Sequence, residues 1–157
     1  MNYLARKSLF HFAPLRWLIN SLDAIPLDTE GIGLGGVKET IRRLRRGEMV
    51  LIFPEGARTW DGEVGPFQPG FTALAVRGRA TILPVVIEGA FEAWPRWQKL
   101  PRWGSIGVHY GVPISAERVK QYDEEQLVAE VRRRVCRCQA ELRSRPVFAR
   151  RGPARPT

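Results

Sequence analysis

The sequence predicts an α/β domain with a mostly parallel central sheet flanked by helices. Apolar runs that look like buried strands alternate along the chain with stretches of helical periodicity, as in layered α/β folds. The chain has 157 residues, the size of one ordinary domain. Hydrophobic residues make up 44% of it, enough for a core. Composition therefore excludes a disordered chain and a collagen-like repeat.

The first half of the chain predicts two helical regions and two extended segments. Residues 8–22 carry a broad apolar face and predict a helix or a pair of helices. A short extended segment over 24–27 follows. Apolar residues spaced by four and three predict a helix over 35–46, which Gly47 ends. The continuous apolar run over 49–53 then predicts a buried parallel strand.

The second half repeats the alternation. A short helix is predicted over 70–78 and a second strand over 81–87. Pro84 within that strand favours an edge, a bulge or a site-facing position. A third strand is predicted over 105–110, and an amphipathic helix over 124–142.

Positive charge is concentrated at the C-terminal end. The formal net charge is +9, and residues 132–157 hold nine Arg and one Glu. We predict that the Arg run at 132–134 is a solvated helix face rather than a site for lipid or nucleic acid. Three Pro and three Arg over 146–157 predict a disordered basic tail behind a single domain over 1–145.

The cysteines predict neither a disulfide nor a metal site, and the hydropathy predicts no membrane-spanning helix. Cys136 and Cys138 stand one residue apart, a poor disulfide pair, so a reducing compartment is predicted. They have no second Cys or His pair beside them, so no metal site is predicted. No stretch approaches the ~20 apolar residues of a membrane-spanning helix.

The strongest functional signal is the segment 53–59, Phe-Pro-Glu-Gly-Ala-Arg-Thr, at the end of the best predicted strand. Open α/β sheets bind ligands at the carboxyl ends of their strands. Arg58 there can bind a phosphate group bidentately. Composition alone favours a simpler interpretation, a surface turn with an exposed ion pair between Glu55 and Arg58.

This segment resembles the Phe-Pro-Glu-Gly-Thr-Arg-Ser block of the glycerolipid acyltransferase family, the 1-acylglycerol-3-phosphate acyltransferases. Three further segments are similar to blocks of that family: 6–10 to its Lys-x-x-Leu-Phe stretch, 65–75 to its Phe-Lys-x-Gly segment, and 82–87 to its Pro-containing strand. Gln68 and Pro69 stand where the family usually has a Lys. The resemblance covers about residues 3–115.

The resemblance implies an α/β fold of the glycerolipid acyltransferase type and a reaction of phospholipid biosynthesis. An acyl chain would pass from acyl-CoA or acyl carrier protein to the free hydroxyl of lysophosphatidic acid, with no metal or organic cofactor. It implies a peripheral enzyme on the cytoplasmic face of the membrane, with the membrane surface and the lipid as partners and no nucleic acid. The implied substrate-binding residues are Glu55, Gly56, Arg58, Thr59 and Pro84.

The chain departs from the family at the catalytic block. In the family a His, separated from an Asp by four residues, takes the proton of the attacking hydroxyl, and the Asp orients the imidazole. Here His11 is followed at that spacing by Arg16, and His109 by Ile114. We therefore assign no catalytic residue, and we expect that the block precedes Met1 and that the domain is incomplete at its N-terminus.

Two alternatives remain open. The first is a non-catalytic relative that binds lipid phosphate through Arg58. If Asp28 occupies the position of a family Arg, one phosphate contact is lost there and Arg58 becomes the main candidate ligand. The second alternative is a nucleotide-binding domain. Residues 31–36 match Gly-x-Gly-x-x-Gly, and Glu55 follows Gly36 by 19 residues. Negative charge at Asp28 and Glu30 would crowd a pyrophosphate.

Aromatic and basic residues also mix over 91–103. Amphipathic rings beside cations suit a membrane interface, and Trp packing over the sheet edge is an equally good explanation. The residues concerned are Trp94, Trp97 and Trp103 with Arg96, Lys99 and Arg102.

Overall fold

The computed structural model describes residues 2–6, 25–27, 34–98 and 100–148. The helix predicted over 8–22 and residues 149–157 lie outside them. The backbone forms two compact units. The first comprises Met1–Phe53, Gly70–Thr81 and Ser115–Gln121; the second comprises Pro54–Pro69, Ile82–Ile114 and Tyr122–Thr157.

The described elements confirm the predicted helices at 35–46, 70–78 and 124–142. In chain order they are β1 (Asn2–Arg6), β2 (Ile25–Leu27), α1 (Leu34–Arg45), β3 (Val50–Leu51), α2 (Gly70–Gly78), β4 (Val85–Glu88), α3 (Ala90–Ala93), β5 (Gly107–Tyr110), α4 (Ala116–Val119) and α5 (Glu124–Arg143). None of the helices in the described part is long and apolar enough to span a membrane.

The first unit contains a parallel sheet with the strand order β2-β1-β3. The register pairs Leu4 with Ile25 and Asn2 with Val50. The predicted parallel character is confirmed here, although no pattern in the sequence predicts β1. The strand predicted over 49–53 is shorter than expected. β3 lies at the edge of the described sheet and pairs only at Val50 and Leu51. Met49 and Phe53, at the two ends of the predicted run, are exposed.

The second unit contains the antiparallel pair β4–β5, with Val86 opposite His109. A reciprocal bridge between Ile82 and Ile114 extends it, with N–O distances of 2.9 and 2.8 Å. The mostly parallel arrangement therefore does not extend to these two strands. A parallel return needs a crossover, usually a helix, and the connection here holds only the four-residue α3.

Helix α5 covers one face of β4 and β5. Asp123 and Gln126 form a capping box at its start: the Asp123 carboxylate accepts the Gln126 N–H at 2.8 Å, and the Gln126 amide oxygen accepts the Asp123 N–H at 3.3 Å. The core on this face consists of Val86, Val135, Cys138, Leu142 and Phe148. Phe148 falls within the predicted tail, so the folded part continues past residue 145.

Pro84 fits its predicted exceptional position. It lies between the Ile82 bridge and β4 and is fully buried. Its carbonyl accepts the backbone N–H of Gly111 at 2.8 Å. A proline is tolerated at this point because the carbonyl, and not the missing N–H, makes the contact.

A close approach at Gly111 gives a test of this packing. A Cβ there would lie 2.6 Å from Sγ of the buried Cys138. We expect Gly111→Ala to lower the free energy of unfolding by about 1–3 kcal/mol through overpacking, measured by urea denaturation. Adding Cys138→Ala should recover part of this loss. Simple additivity of the two changes would contradict the assigned contact.

Candidate functional site

The segment 53–59 leads into a surface loop that is closed by its own hydrogen bonds. The carbonyl of Pro54 accepts the N–H of Gln68 at 2.8 Å. Oε2 of Glu55 accepts the N–H of Gly65 at 2.9 Å. Inside the loop that these two bonds close, Gly56 adopts a φ of +69°, a conformation that favours glycine. The Glu55 carboxylate therefore stabilises the shape of the loop through its bond to Gly65.

A second set of bonds shapes the middle of the loop. The Thr59 hydroxyl accepts the N–H groups of Asp61 and Gly62 at 3.3 and 3.1 Å, and it donates to Oδ1 of Asp61 at 2.9 Å. The same carboxylate accepts the N–H of Glu63 at 3.0 Å. These bonds, the one from Glu63 first, hold the pKa of Asp61 below its usual value. Thr59 thus forms the turn.

Helix α5 holds the far side of the loop through backbone carbonyls. Arg132 donates from Nε to the carbonyl of Gly65 and from Nη2 to that of Val64, both at 3.0 Å. The Gln139 amide donates to the carbonyl of Gly62 at 3.0 Å. Long-range bonds of this kind have no local sequence signal, and the sequence did not predict them.

Arg143 is the third side chain of α5 that holds the loop. Together with Arg132 and Gln139 it forms what we term the α5 clamp. It donates to Oε1 of Glu88 at 3.0 Å, to Oε1 of Glu63 at 2.7 Å and to the carbonyl of Gly62 at 2.9 Å. Glu88 is only 4% exposed, and its other carboxylate oxygen accepts the Gln139 amide at 3.3 Å. Burial alone would lower the pKa of Arg143, but the bonds to both carboxylates outweigh it and raise the pKa.

Arg58 projects from this fixed loop and is exposed. Its Cζ lies 5.8 Å from the ring centroid of Trp94, and its carbonyl accepts Nη1 of Arg96 at 3.2 Å. The ion pair with Glu55 that composition favoured is not formed; that carboxylate accepts the Gly65 N–H. Within the described residues no carboxylate pairs with the Arg58 guanidinium. An anionic ligand can therefore take that place.

The predicted site residues thus separate into two groups. Glu55, Gly56, Arg58 and Thr59 share one loop, in which three residues set the geometry and Arg58 is available to a ligand. Pro84 lies in the core of the same unit with its ring buried, and its role in substrate binding stays a prediction.

The arginines of the run on α5 bind carboxylates and backbone carbonyls of their own unit. Arg133 and Arg134 both bind Glu130, at 2.8 Å each. Arg134 also donates to the carbonyl of Val112 at 2.8 Å, and Arg137 binds Glu141 at 3.0 Å. The run lies on a helix, as predicted, but it is not simply solvated, since the Arg134 side chain is only 16% exposed. Its cations brace the helix and its neighbours instead of forming a free basic patch.

His109 has a carboxylate partner that its sequence neighbours did not indicate. Nε2 of His109 lies 3.0 Å from Oε2 of Glu141. The hydrogen bond from Arg137, together with that from His109, lowers the pKa of Glu141. A carboxylate that orients an imidazole is one element of a general base. In the described part of the chain, His, Cys, Asp and Glu side chains form no metal-binding group.

Comparison with known proteins places this loop in a family context. The model of the acyltransferase family matches residues 1–88, which include the whole 53–59 segment and Pro84. The chain is 34% identical over 114 residues to 1-acyl-sn-glycerol-3-phosphate acyltransferase of Bacillus subtilis, covering 73% of this chain and 54% of that protein. The enzyme of the same name from Pseudomonas aeruginosa is 32% identical over 123 residues, covering 74% and 46%.

A solved structure supports the fold. The crystal structure of the 1-acyl-sn-glycerophosphate (LPA) acyltransferase PlsC from Thermotoga maritima matches with a TM-score of 0.78 at 27% identity. The match covers 92% of this chain and 57% of that one. The chain spans about half the length of the curated relatives it matches. The predicted α/β fold and the predicted resemblance are both confirmed, and the chain belongs to the acyltransferase family.

Proposed function

We propose that this chain takes part in the transfer of an acyl chain from acyl-CoA or acyl carrier protein to lysophosphatidic acid. The observation that carries the proposal is Arg58, an exposed guanidinium without a carboxylate partner in the described residues, on a loop fixed at both ends. A fixed Arg can bind the phosphate of the acceptor with two parallel hydrogen bonds. The names of the matched relatives support the same acceptor.

The remaining loop residues have supporting roles in this proposal. Glu55 and Thr59 hold the backbone so that Arg58 meets the phosphate in one position, which lowers the entropy lost on binding. No cofactor is proposed, because the reaction needs only the thioester and the lipid. The lipid acceptor locates the reaction at a membrane surface, and we propose a peripheral position on its cytoplasmic face, where soluble thioester donors reach it.

The Arg58→Ala variant tests the proposal. A charge-assisted hydrogen bond to phosphate contributes ~1.5–3 kcal/mol, and ~1.4 kcal/mol is a factor of ten in affinity. We therefore expect Arg58→Ala to weaken lysophosphatidic acid binding about ten-fold or more. Arg58→Lys should recover only part of the affinity, because the planar fork is lost. The measurement is calorimetric titration with a short-chain, monomeric lysophosphatidic acid.

Controls separate phosphate binding from general effects. Monoacylglycerol, which lacks the phosphate, should bind wild type and Arg58→Ala equally. Arg145→Ala removes the same charge from another exposed position and should leave the affinity unchanged. The melting temperature of Arg58→Ala should stay close to that of wild type. Undiminished lysophosphatidic acid binding by Arg58→Ala would refute the proposed site.

A further inference from the structure

The second unit exposes an unusual number of large aromatic side chains beside arginines. The Trp–Arg surface, as we term it, consists of Trp60, Trp94, Trp97, Leu100 and Trp103 with Arg58, Arg96 and Arg102. Trp103 is completely exposed, and the other four apolar side chains are between 48% and 77% exposed. Clustered exposed apolar side chains of this size mark an interaction site more often than an isolated exposed one does.

Contacts between cations and rings join two parts of the chain into this surface. Cζ of Arg96 lies 4.1 Å from the ring centroid of Trp60, and its Nη1 donates to the carbonyl of Arg58 at 3.2 Å. Cζ of Arg58 in turn lies 5.8 Å from the ring of Trp94. Arg96 and Arg58 are therefore each held over an indole face, in a cation–π contact. Within the described residues no carboxylate pairs with either guanidinium.

The rings are held outward by the loop itself. The Trp94 indole N–H donates to the carbonyl of Gln98 at 3.0 Å. The Trp97 ring packs edge-on against Phe91, with centroids 5.6 Å apart. The N–H of Arg102 donates to the carbonyl of Ala93 at 2.7 Å, which fixes the end of the loop. Their exposure is thus built into the loop, so a partner gains contact without first ordering it.

We propose that the Trp–Arg surface docks the protein on an anionic lipid bilayer. Indole rings prefer the headgroup level of a membrane, where their apolar faces are buried and their polar edges stay wet. Residues 58–63 and 90–106, which form the surface, contain four basic and three acidic residues. One of the acids, Glu63, is already paired with Arg143, so the balance is positive and complements anionic headgroups. An acidic protein would satisfy the arginines but would meet four Trp and a Leu with charged groups, so a bilayer fits both halves of the surface better.

Arg58 then belongs to two sites. It lies against Trp94 within the docking surface, so a docked protein presents Arg58 at headgroup depth, where the phosphate of a membrane lipid lies. A lysophospholipid could be bound there without leaving the bilayer. This role of Arg58 rests on the proposed function, whereas the docking itself does not need it.

Vesicle flotation of the whole chain tests the docking. Wild type should float with vesicles of phosphatidylcholine containing phosphatidylglycerol, float far less with phosphatidylcholine alone, and be released by high salt. The Trp97→Ser/Trp103→Ser double variant should partition at least about ten-fold more weakly. The matched control is Tyr110→Ser/Val112→Ser, which removes two exposed apolar side chains of β5 and its following loop and should float like wild type.

The outcomes distinguish this proposal from others. Equal flotation of wild type and the Trp double variant would overturn it. So would a dimer in light scattering that the Trp double variant abolishes, because a second copy would then cover the surface. The vesicles contain no lysophosphatidic acid, so flotation does not depend on the proposed phosphate site. If Arg58→Ala floats normally and also binds lysophosphatidic acid as tightly as wild type in the titration, the proposed phosphate site is refuted and the docking surface stands.

Discussion

The purified chain of 157 residues is expected to transfer acyl groups to lysophosphatidic acid slowly. Its turnover rate should be about 10²–10⁴-fold below that of an ordinary enzyme. The family reaction needs a base to take the proton of the acceptor hydroxyl, and a positioned base contributes a factor of that size. Neither His11 nor His109 has an Asp at the required spacing. Release of coenzyme A from acyl-CoA, measured with saturating acceptor, gives the rate.

Turnover at an ordinary ~1–10³ s⁻¹ would contradict this expectation and would show that another residue is the base. The structure indicates which residue to test next, because His109 lies 3.0 Å from the carboxylate of Glu141. If activity were found, its loss in His109→Ala and its reduction in Glu141→Gln would identify that pair. Calorimetric binding of lysophosphatidic acid confirms that an inactive sample is folded.

The sequence predicted those parts of the fold that depend on local patterns. The helix over 124–142 was predicted from its apolar stripe, and the structure has α5 at Glu124–Arg143, with Asp123 as its cap. The strand over 49–53 was predicted too long and too buried: only Val50 and Leu51 pair, both are partly buried, and Met49 and Phe53 are exposed. An apolar run does not show where a neighbouring strand stops pairing. The antiparallel pairing of β4 and β5 depends on how their connection folds, which periodicity does not indicate.

The candidate site shows the same division. The 53–59 segment was recognised from its residue order, and the structure gives it the exposed Arg58 that the proposal needs. The sequence suggested Glu55 as the partner of Arg58, since the two are close along the chain. The structure gives Glu55 to Gly65 and surrounds Arg58 with Trp94 and Arg96 instead. Partners from segments distant in the chain cannot be chosen by spacing alone.

The α5 clamp is the clearest example of a feature without a sequence signal. Arg143 and Glu88 stand 55 positions apart, and neither belongs to a motif in the sequence. The run at 132–134 drew attention because it is dense in charge, yet Arg143 is the arginine that meets a carboxylate only 4% exposed. Burial gives that pair its importance, because an unpaired charge at such a position is costly.

Arg143→Ala is therefore expected to lower the free energy of unfolding by roughly 2–4 kcal/mol, below the upper end for buried pairs because Arg143 is partly exposed. The change leaves the Glu88 carboxylate with only the Gln139 amide among its described side-chain partners, and it frees the carbonyl of Gly62 from one of its two side-chain donors. Urea unfolding followed by circular dichroism gives the value. Arg137→Ala on the same helix removes an exposed pair with Glu141 and should cost less than about 1 kcal/mol.

A second substitution identifies the cause of the loss. Glu88→Gln in the Arg143→Ala background removes the buried negative charge while an amide still bonds to Gln139, so it should recover part of the lost stability. If Arg143→Ala costs no more than Arg137→Ala, the clamp is a surface ion pair like the others and does not hold the loop. A large loss that Glu88→Gln deepens would show that Arg143 acts through Gly62 and Glu63 rather than through the buried carboxylate.

Since Arg58 depends on the same loop, Arg143→Ala should also weaken lysophosphatidic acid binding under conditions where the variant is still folded, and Arg137→Ala should not.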